Sequence, residues 1–393
     1  MSLPPELEAL RDEAMRTTCE AWAKRKGWKL APGVDRAGPC PVCGGTDRFA
    51  IHTKKNTFLC RGCGMTGGGV IDLVIKTENV QFVGACEIIT GRKASEPLDP
   101  ERARQIAAQN TADEQRRAGE AARYREQARK DGFRIFSEAK ANRGRDYLAQ
   151  YLALRGIGFG HIAAVLPPGV SVKLWEHPHL PLVESIGGQW VTVHTGPAMV
   201  AAVQQPDGHF GASHATWLDV EKPKGKVVLG NHPDTGKPIA TKKVRGAKKG
   251  GAIRLYTPEK PRRIVMGEGI ETTLTALAHN FEPDTAYWAG VDLGNMAGRA
   301  ARDADGHIQH GLPDLDDMDC FLPPDWAEEL IYLCDSDEAA TRTVEKVTRG
   351  LMRAQAWRER RLQENPALSV LDCAFVEPIG DGKDLNDLVR VIL

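Results

Sequence analysis

The chain has 393 residues, with 52 Lys or Arg against 52 Asp or Glu and so no net formal charge. That length supports two or three domains with their own cores, and no apolar run approaches the roughly 20 residues a membrane helix needs. The amino terminus has no apolar signal-peptide region, so the expectation is a protein of the cytoplasm with no membrane partner.

The neutrality averages over segregated charge. Residues 222–254 hold ten Lys or Arg and one acid, Asp234, whereas residues 303–337 hold eleven acids and no Lys or Arg. One block could hold a polyanion and the other metal ions.

In chain order, residues 4–25 carry a helical pattern (Leu7, Leu10, Ala14, Trp22) that runs into a Gly/Pro-rich break. The next module has Cys40 and Cys43, sixteen intervening residues, then Cys60 and Cys63. Four thiolates at that spacing predict one structural zinc ion, closed by its ligands and therefore not catalytic. A redox Cys-x-x-Cys pair is the weaker reading of two such pairs, and His52 is an alternative ligand better placed on a ribbon strand. Cys19, Cys86, Cys320, Cys334 and Cys373 read as small, partly buried residues in a reducing compartment. The ribbon strands are expected to carry Arg48, Phe49, Lys54, Lys55, Phe58 and Arg61, a basic and aromatic mixture suited to single-stranded nucleic acid. Phe49 and Phe58 suit the ribbon's own small core equally well.

Residues 97–143 are rich in Ala, Arg, Glu and Gln and predict a solvated helical linker. From residue 144 the pattern is globular again, with a helix ending at Gly156 and strands at Trp190–His194, Ala198–Val203 and Lys226–Leu229. The turn GNHPDTGKP resembles a phosphate-binding loop only superficially. Five residues separate Gly230 from Gly236, and Pro238 stands where Ser or Thr should follow the lysine.

After Pro261, strands and helices alternate. Strands are predicted at Ile264–Met266, Thr285–Trp288, Leu330–Leu333 and Ala374–Val376, with helices from about residue 270, over 338–356 and from Asn386. This pattern implies a parallel α/β sheet whose ligands lie beyond the carboxyl ends of its strands. Three acidic stations follow such strands: Glu268 in RRIVMGEGIETTLTAL, Asp335 and Asp337 in LIYLCDSDEAA, and Asp381, Asp384, Asn386 and Asp387 in EPIGDGKDLNDLV. Glu268 sits in a glycine-bounded turn where a phosphate loop would avoid a carboxylate. Crowded carboxylates raise one another's pKa unless a cation joins them, and hard oxygen ligands suit magnesium or manganese.

GEGIET, DSD and GKDLND resemble the Toprim domain over roughly residues 262–393. The four-cysteine ribbon resembles that of the zinc-bearing primases of phages and mobile elements, and VRGAKKGGAIRLY resembles the basic segment that precedes Toprim in those primases. Two departures stand out. Bacterial replicative primases usually have a His among their zinc ligands, and the third station reads DLND rather than Asp-x-Asp. The resemblance implies a multidomain α+β chain: an N-terminal helix and zinc ribbon (1–96), a charged helical linker (97–143), a basic mixed α+β subdomain (144–260) and a catalytic domain with a parallel sheet (261–393). It implies synthesis of RNA primers from NTPs on a single-stranded DNA template in a bacterial host's cytoplasm, beside a replicative helicase. Asp335, Asp337 and Asp384, with Asn386 or Asp387, would hold the catalytic ions, and Glu268 would shuttle a proton or add a metal contact. Lys242, Lys243, Arg245, Lys248, Lys249 and Arg254 would grip template and triphosphate, and Arg48, Lys54, Lys55 and Arg61 would extend the grip from the ribbon. A Toprim nuclease or a RecR-like DNA-binding repair protein is the alternative.

Overall fold

The computed structural model describes residues 4–95, 100–304, 306–334 and 340–377. The chain forms two compact units, residues 1–121 and 122–393.

The first unit contains helices α1 (Pro5–Ala14) and α2 (Cys19–Arg25), strands β1 (Asp35–Cys40), β2 (Gly44–His52), β3 (Thr57–Cys60) and β4 (Thr66–Gly68), and helices α3 (Gly69–Glu78) and α4 (Phe82–Thr90). The single helical pattern expected over 4–25 is therefore two helices. Thr18 restarts the second, its hydroxyl accepting from the Ala21 amide at 3.0 Å as an N-cap. The four strands form an antiparallel sheet in sequence order. Its inner face packs on the helices through Phe49, Ile51, Phe58, Trp22, Leu73 and Cys86. Phe49 and Phe58 are thus buried core, 6.4 Å apart, rather than rings displayed to a strand of nucleic acid.

The predicted linker contains one helix, α5 (Pro100–Ala141). Its last turns are not solvated on all sides. Ser213 donates to the Gly132 carbonyl at 2.6 Å, and Phe136 meets the Trp175 ring edge-on at 4.9 Å.

The second unit continues with α6 (Asp146–Leu154), α7 (Phe159–Val165), β5 (Trp175–Ile186), β6 (Gln189–Gln204), β7 (Phe210–Trp217), β8 (Lys242–Gly246), β9 (Ala252–Tyr256), β10 (Arg263–Gly267), α8 (Ile270–His279), β11 (Thr285–Ala289), α9 (Leu293–Ala297), β12 (Ala300–Arg302), β13 (Ile308–Pro313), β14 (Glu329–Leu333), α10 (Ala340–Glu364) and β15 (Asp372–Val376). The helix expected from Asn386 lies outside the described residues. The two strands expected between Trp190 and Val203 are one, β6, and Lys226–Leu229 is not a strand: Lys226 makes a single bridge to Leu218.

One sheet runs through this unit in the order β15-β14-β10-β11-β9-β6-β7-β8, with β5 also on β6. Of the six strands after Pro261, β15, β14, β10 and β11 pair in parallel, β12 and β13 form a separate antiparallel pair, and β9 joins β11 antiparallel. Side chains alternate across this sheet. Val265, Tyr287 and Leu333 pack with Ile270, Leu274 and Leu277 of α8. Ile264, Met266, Trp288 and Tyr332 pack on the other face with Val347, Leu351 and Ala354 of α10. Burial on both faces explains why β10, β11 and β14 read as unbroken apolar runs, whereas β15, at the edge of the sheet, is largely exposed. Among the described residues, no helix is long and apolar enough to cross a membrane.

A partly buried ion pair joins α8 to the rest of the unit. Lys226 Nζ lies 2.7 Å from Glu271, which also accepts from the Tyr151 hydroxyl. Burial raises the Glu271 pKa, but the Lys226 charge and the hydrogen bonds outweigh it and bring it to about 2. A depressed carboxylate gives stability that is full above its unfolded pKa, near 4.5, and is lost as pH falls toward the folded value. Glu271→Gln should therefore lower the unfolding free energy measured by urea titration at pH 7 by roughly 1–3 kcal/mol, with the gap to wild type closing between pH 4.5 and 2. A gap that does not change with pH would rule out the charged pair as its cause.

Candidate functional site

Two regions hold the residues singled out in the sequence. In the first unit, the turns after β1 and β3 bring Cys40, Cys43, Cys60 and Cys63 together, their sulfurs all within 4.8 Å of one another. Cys40 and Cys63 sulfurs are 4.0 Å apart, and those of Cys43 and Cys60 are 3.5 Å apart. A tetrahedron with Zn–S bonds of about 2.3 Å has S···S edges of about 3.8 Å, so the donor set fits zinc in both chemistry and spacing. Amides of Val42 and Cys43 point at the Cys40 sulfur, and that of Gly62 at Cys60. Such donors stabilise thiolates: the Cys63 and Gly62 amides bring the Cys60 thiol down to about 6. His52 stands outside this group, its Nδ1 accepting from the Lys55 amide at 3.1 Å.

The ribbon's basic residues divide. Lys54 and Lys55 are exposed on the β2–β3 turn and Arg61 is exposed beside the cysteines. Arg48 lies across the cysteine turns, where a side chain on Gly45 or Gly62 would collide with it.

In the second unit the geometry is set by β10. Gly267 aligns with Ala289 of β11 on one side and Leu333 of β14 on the other. The chain leaves β10 through α8 on one face for β11, then returns past β10 to β14, whose helix α10 covers the opposite face. This reversal of strand order is the topological switch point at which open α/β sheets bind their ligands. Glu268, half-buried, is the first residue past β10 at that edge. β14 and β15 end in line with it, with the Cys334 amide donating to the Val376 carbonyl at 2.9 Å. Asp335, Asp337, Asp381, Asp384, Asn386 and Asp387 follow these strands in sequence and lie outside the described residues.

Of the two glycines that bound the Glu268 turn, Gly267 is there for a steric reason. A Cβ on Gly267 would sit 2.9 Å from the Thr273 hydroxyl, which accepts from the Gly267 amide at 3.1 Å. The Gly-rich basic turn also faces inward. Gly250 needs its left-handed φ of 73°, and Gly251 packs against β6, where a Cβ would come within 2.9 Å of the Gln204 carbonyl.

Several cations of the basic block are engaged by carboxylates. Lys243 pairs with Glu184 and Arg245 with Asp131, both at 2.5 Å, Lys249 pairs with Asp319 at 2.8 Å, and Lys248 pairs with Asp292. Lys242 is exposed on β8, and Arg254 lies over the Trp288 ring. The sequence's basic and acidic blocks thus meet in space through Lys249 and Asp319.

Asp292 and Asn295 escaped the sequence reading. Asp292 caps α9, accepting from the Asn295 amide at 2.9 Å, and Asn295 is buried. Asn295 Oδ1 accepts from the Gly250 amide at 2.9 Å, and its Nδ2 donates to the carbonyls of Gly251 and Gly290 at 2.8 and 2.9 Å. The Gly290 amide in turn donates to the Gly267 carbonyl at 2.8 Å. This chain of bonds ties the turn bearing Lys248 and Lys249 to the strand end that presents Glu268. Asp292 had a readable signal, an acid three residues past an apolar strand; Asn295 had none. Val291, between them and β11, takes a φ of 75°, a strained value for a β-branched residue. Val291, Asp292, Lys242, Lys243, Lys248 and His214 line an open cleft of about 350 Å³. Burial and nearby Lys242 push His214 down to about 4, so it is uncharged at neutral pH.

Comparison with known proteins bears on both units. Residues 35–70 match the zinc-binding domain of primase-helicase, and residues 126–255 match a domain of unknown function, DUF7146. No curated protein matches the chain. Among solved structures, it is similar to the zinc-binding and RNA polymerase domains of Aquifex aeolicus primase (14% identity, 99% of this chain and 83% of that one, TM-score 0.34). It is also similar to the primase fragment of the bacteriophage T7 primase-helicase (13% identity, 90% and 94%, TM-score 0.32). A third is a DNA primase domain from Pseudomonas aeruginosa (13% identity, 68% and 74%, TM-score 0.34).

Purified protein should carry about one zinc per chain, and Cys60→Ser should lose it together with the first unit's cooperative unfolding. Metal analysis and near-ultraviolet circular dichroism check this; a metal-free variant with an unchanged transition would show that zinc does not hold the ribbon. With its four-cysteine cluster at tetrahedral spacing and its match over residues 35–70, the amino-terminal module is a primase-type zinc ribbon.

Proposed function

We propose that the chain is a DNA primase that makes short RNA primers on single-stranded DNA by metal-dependent nucleotidyl transfer. The observation that carries this is the joining, in one chain, of a primase-type zinc ribbon with a parallel-sheet switch point that presents Glu268 and leads into DSD and DLND. On this reading the second unit is a basic subdomain followed by a Toprim catalytic domain, and the ribbon reads the template.

In the reaction a 3′-hydroxyl attacks the α-phosphate of an incoming NTP, a P–O bond forms, and pyrophosphate leaves. Asp335, Asp337 and Asp384, with Asn386 and Asp387, would hold magnesium or manganese, which supplies charge stabilisation to the phosphates when bound. Glu268, at the head of the rigid β10–α8 turn, takes up the hydroxyl proton or completes the metal site. Lys242, Lys243, Arg245, Lys248 and Lys249 hold template and triphosphate, with Lys54, Lys55 and Arg61 of the ribbon adding contacts to the strand. Arg48 contributes by bracing the cysteine turns. A replicative helicase is the expected partner, in the cytoplasm of a bacterial host.

The test is primer synthesis on mixed-sequence single-stranded DNA with labelled NTPs and magnesium. Wild type should give short products, and Glu268→Gln and Asp335→Ala should each reduce them by about 100-fold or more. Wild-type rates in both variants would refute the site. Magnesium-dependent loss of the template without products would make the protein a Toprim nuclease instead.

A further inference from the structure

A second cleft, of about 530 Å³, opens on the α10 face of the sheet. Its walls are Trp288, Phe321, Pro324 and Trp357, and Gly250 and Arg254 border it. The Arg254 guanidinium lies 4.6 Å from the Trp288 ring centroid, and its Nη2 donates to the Gln205 carbonyl at 2.8 Å. Its Nε is buried with no hydrogen-bond partner among the described residues. Lys243, Arg245, Lys248 and Lys249 each have a carboxylate partner; among the described residues Arg254 has none in ion-pair range. The other charges at this cleft offset each other, Arg361 holding Asp325 at 2.7 Å.

A bare phosphate is poorly served by such a place, because the walls are apolar and the nearby lysines lie outside it. A flat ring suits it: the ring stacks on the outer face of the Arg254 guanidinium, whose inner face lies on the buried Trp288 ring, and packs against the partly exposed Trp357 indole. A volume of several hundred cubic ångströms with few polar groups is the usual form of a small-ligand site. We propose that this cleft takes a nucleobase, stacked against the Arg254–Trp288 pair. Gly250 belongs to the turn that carries Lys248 and Lys249, so the cleft adjoins the cations proposed to hold the phosphates. The choice of ligand rests on the nucleic-acid reading above. The base could belong to a bound strand or to a free nucleotide.

The experiment uses the full chain and three probes: a labelled oligodeoxyadenylate, its abasic counterpart with the same phosphates, and AMP. Anisotropy and calorimetry compare wild type with Arg254→Gln, Arg254→Lys, Trp357→Leu and the double variant Lys248→Ala/Lys249→Ala. The Arg254 and Trp357 variants should weaken the intact oligonucleotide about 5- to 100-fold and leave the abasic one unchanged. AMP binding that is lost in the same variants assigns the cleft to a free nucleotide; no AMP binding with the base-dependent loss intact assigns it to a strand. Equal loss on intact and abasic strands, full retention in Arg254→Lys, or no binding of any probe by wild type overturns the proposal. The lysine double variant should weaken both strands; if it does not, the proposed phosphate grip fails while the base site stands.

Discussion

The second unit depends on the parallel pairing of β10 on both sides. With Gly267 level with Ala289 and Leu333, three strands end in one line, and whatever follows them must leave from one edge. Both faces of these strands are covered, one by α8 and the other by α10, so Ile264–Met266, Ala286–Trp288 and Leu330–Leu333 have no room for an uncompensated polar group. Chemistry is thereby confined to the strand ends. That is why an acid can stand at Glu268 and nowhere earlier in the strand.

One buried amide extends this constraint to the basic turn. Asn295 uses its acceptor and both donor hydrogens on backbone groups from two separate segments, so no isosteric carboxylate could replace it. Leaving a buried carbonyl unpaired costs about 1–3 kcal/mol, enough to keep the Gly250–Gly251 turn against Gly290. α10 does the same for the segment that departs between β11 and β14. Buried Arg353 donates to the Asp317 carbonyl at 2.9 Å and Arg358 to that of Pro324 at 2.9 Å, fixing the acid-rich stretch without neutralising its carboxylates.

What the sequence revealed and what it hid follow from range. The cysteine spacing was legible because a tetrahedral metal dictates local chain geometry, and β10, β11 and β14 were legible because burial on two faces leaves an unbroken apolar run, whereas the exposed β12 and β13 were missed. Lys226–Leu229 has the same apolar look, yet Lys226 turns toward Glu271 and the segment runs past the sheet with one bridge. The break expected between His194 and Ala198 is absent: β6 runs through Gly196 and Pro197 opposite an irregularity in β5 between His177 and Leu180. The basic block was legible as charge but not as charge pairing. Its partners Glu184, Asp131, Asp292 and Asp319 lie 44 to 114 residues away, beyond the reach of any local pattern.

Those pairs change how the positive block acts on a polyanion. A phosphate meeting Lys249 displaces Asp319, and because the two side chains are 67% and 73% exposed, the freed carboxylate is rehydrated at little cost. Lys248 and Asp292 are more enclosed, at 43% and 33%, and Asp292 is also the cap of α9. Displacing that carboxylate would disturb the helix whose Asn295 holds the turn. Lys249 therefore exchanges partners at the least cost, whereas Lys248 also fixes the turn and reaches a phosphate only by giving up Asp292. The nine net charges counted from Lys222 to Arg254 overstate the field a strand would meet, since several are already compensated before it arrives.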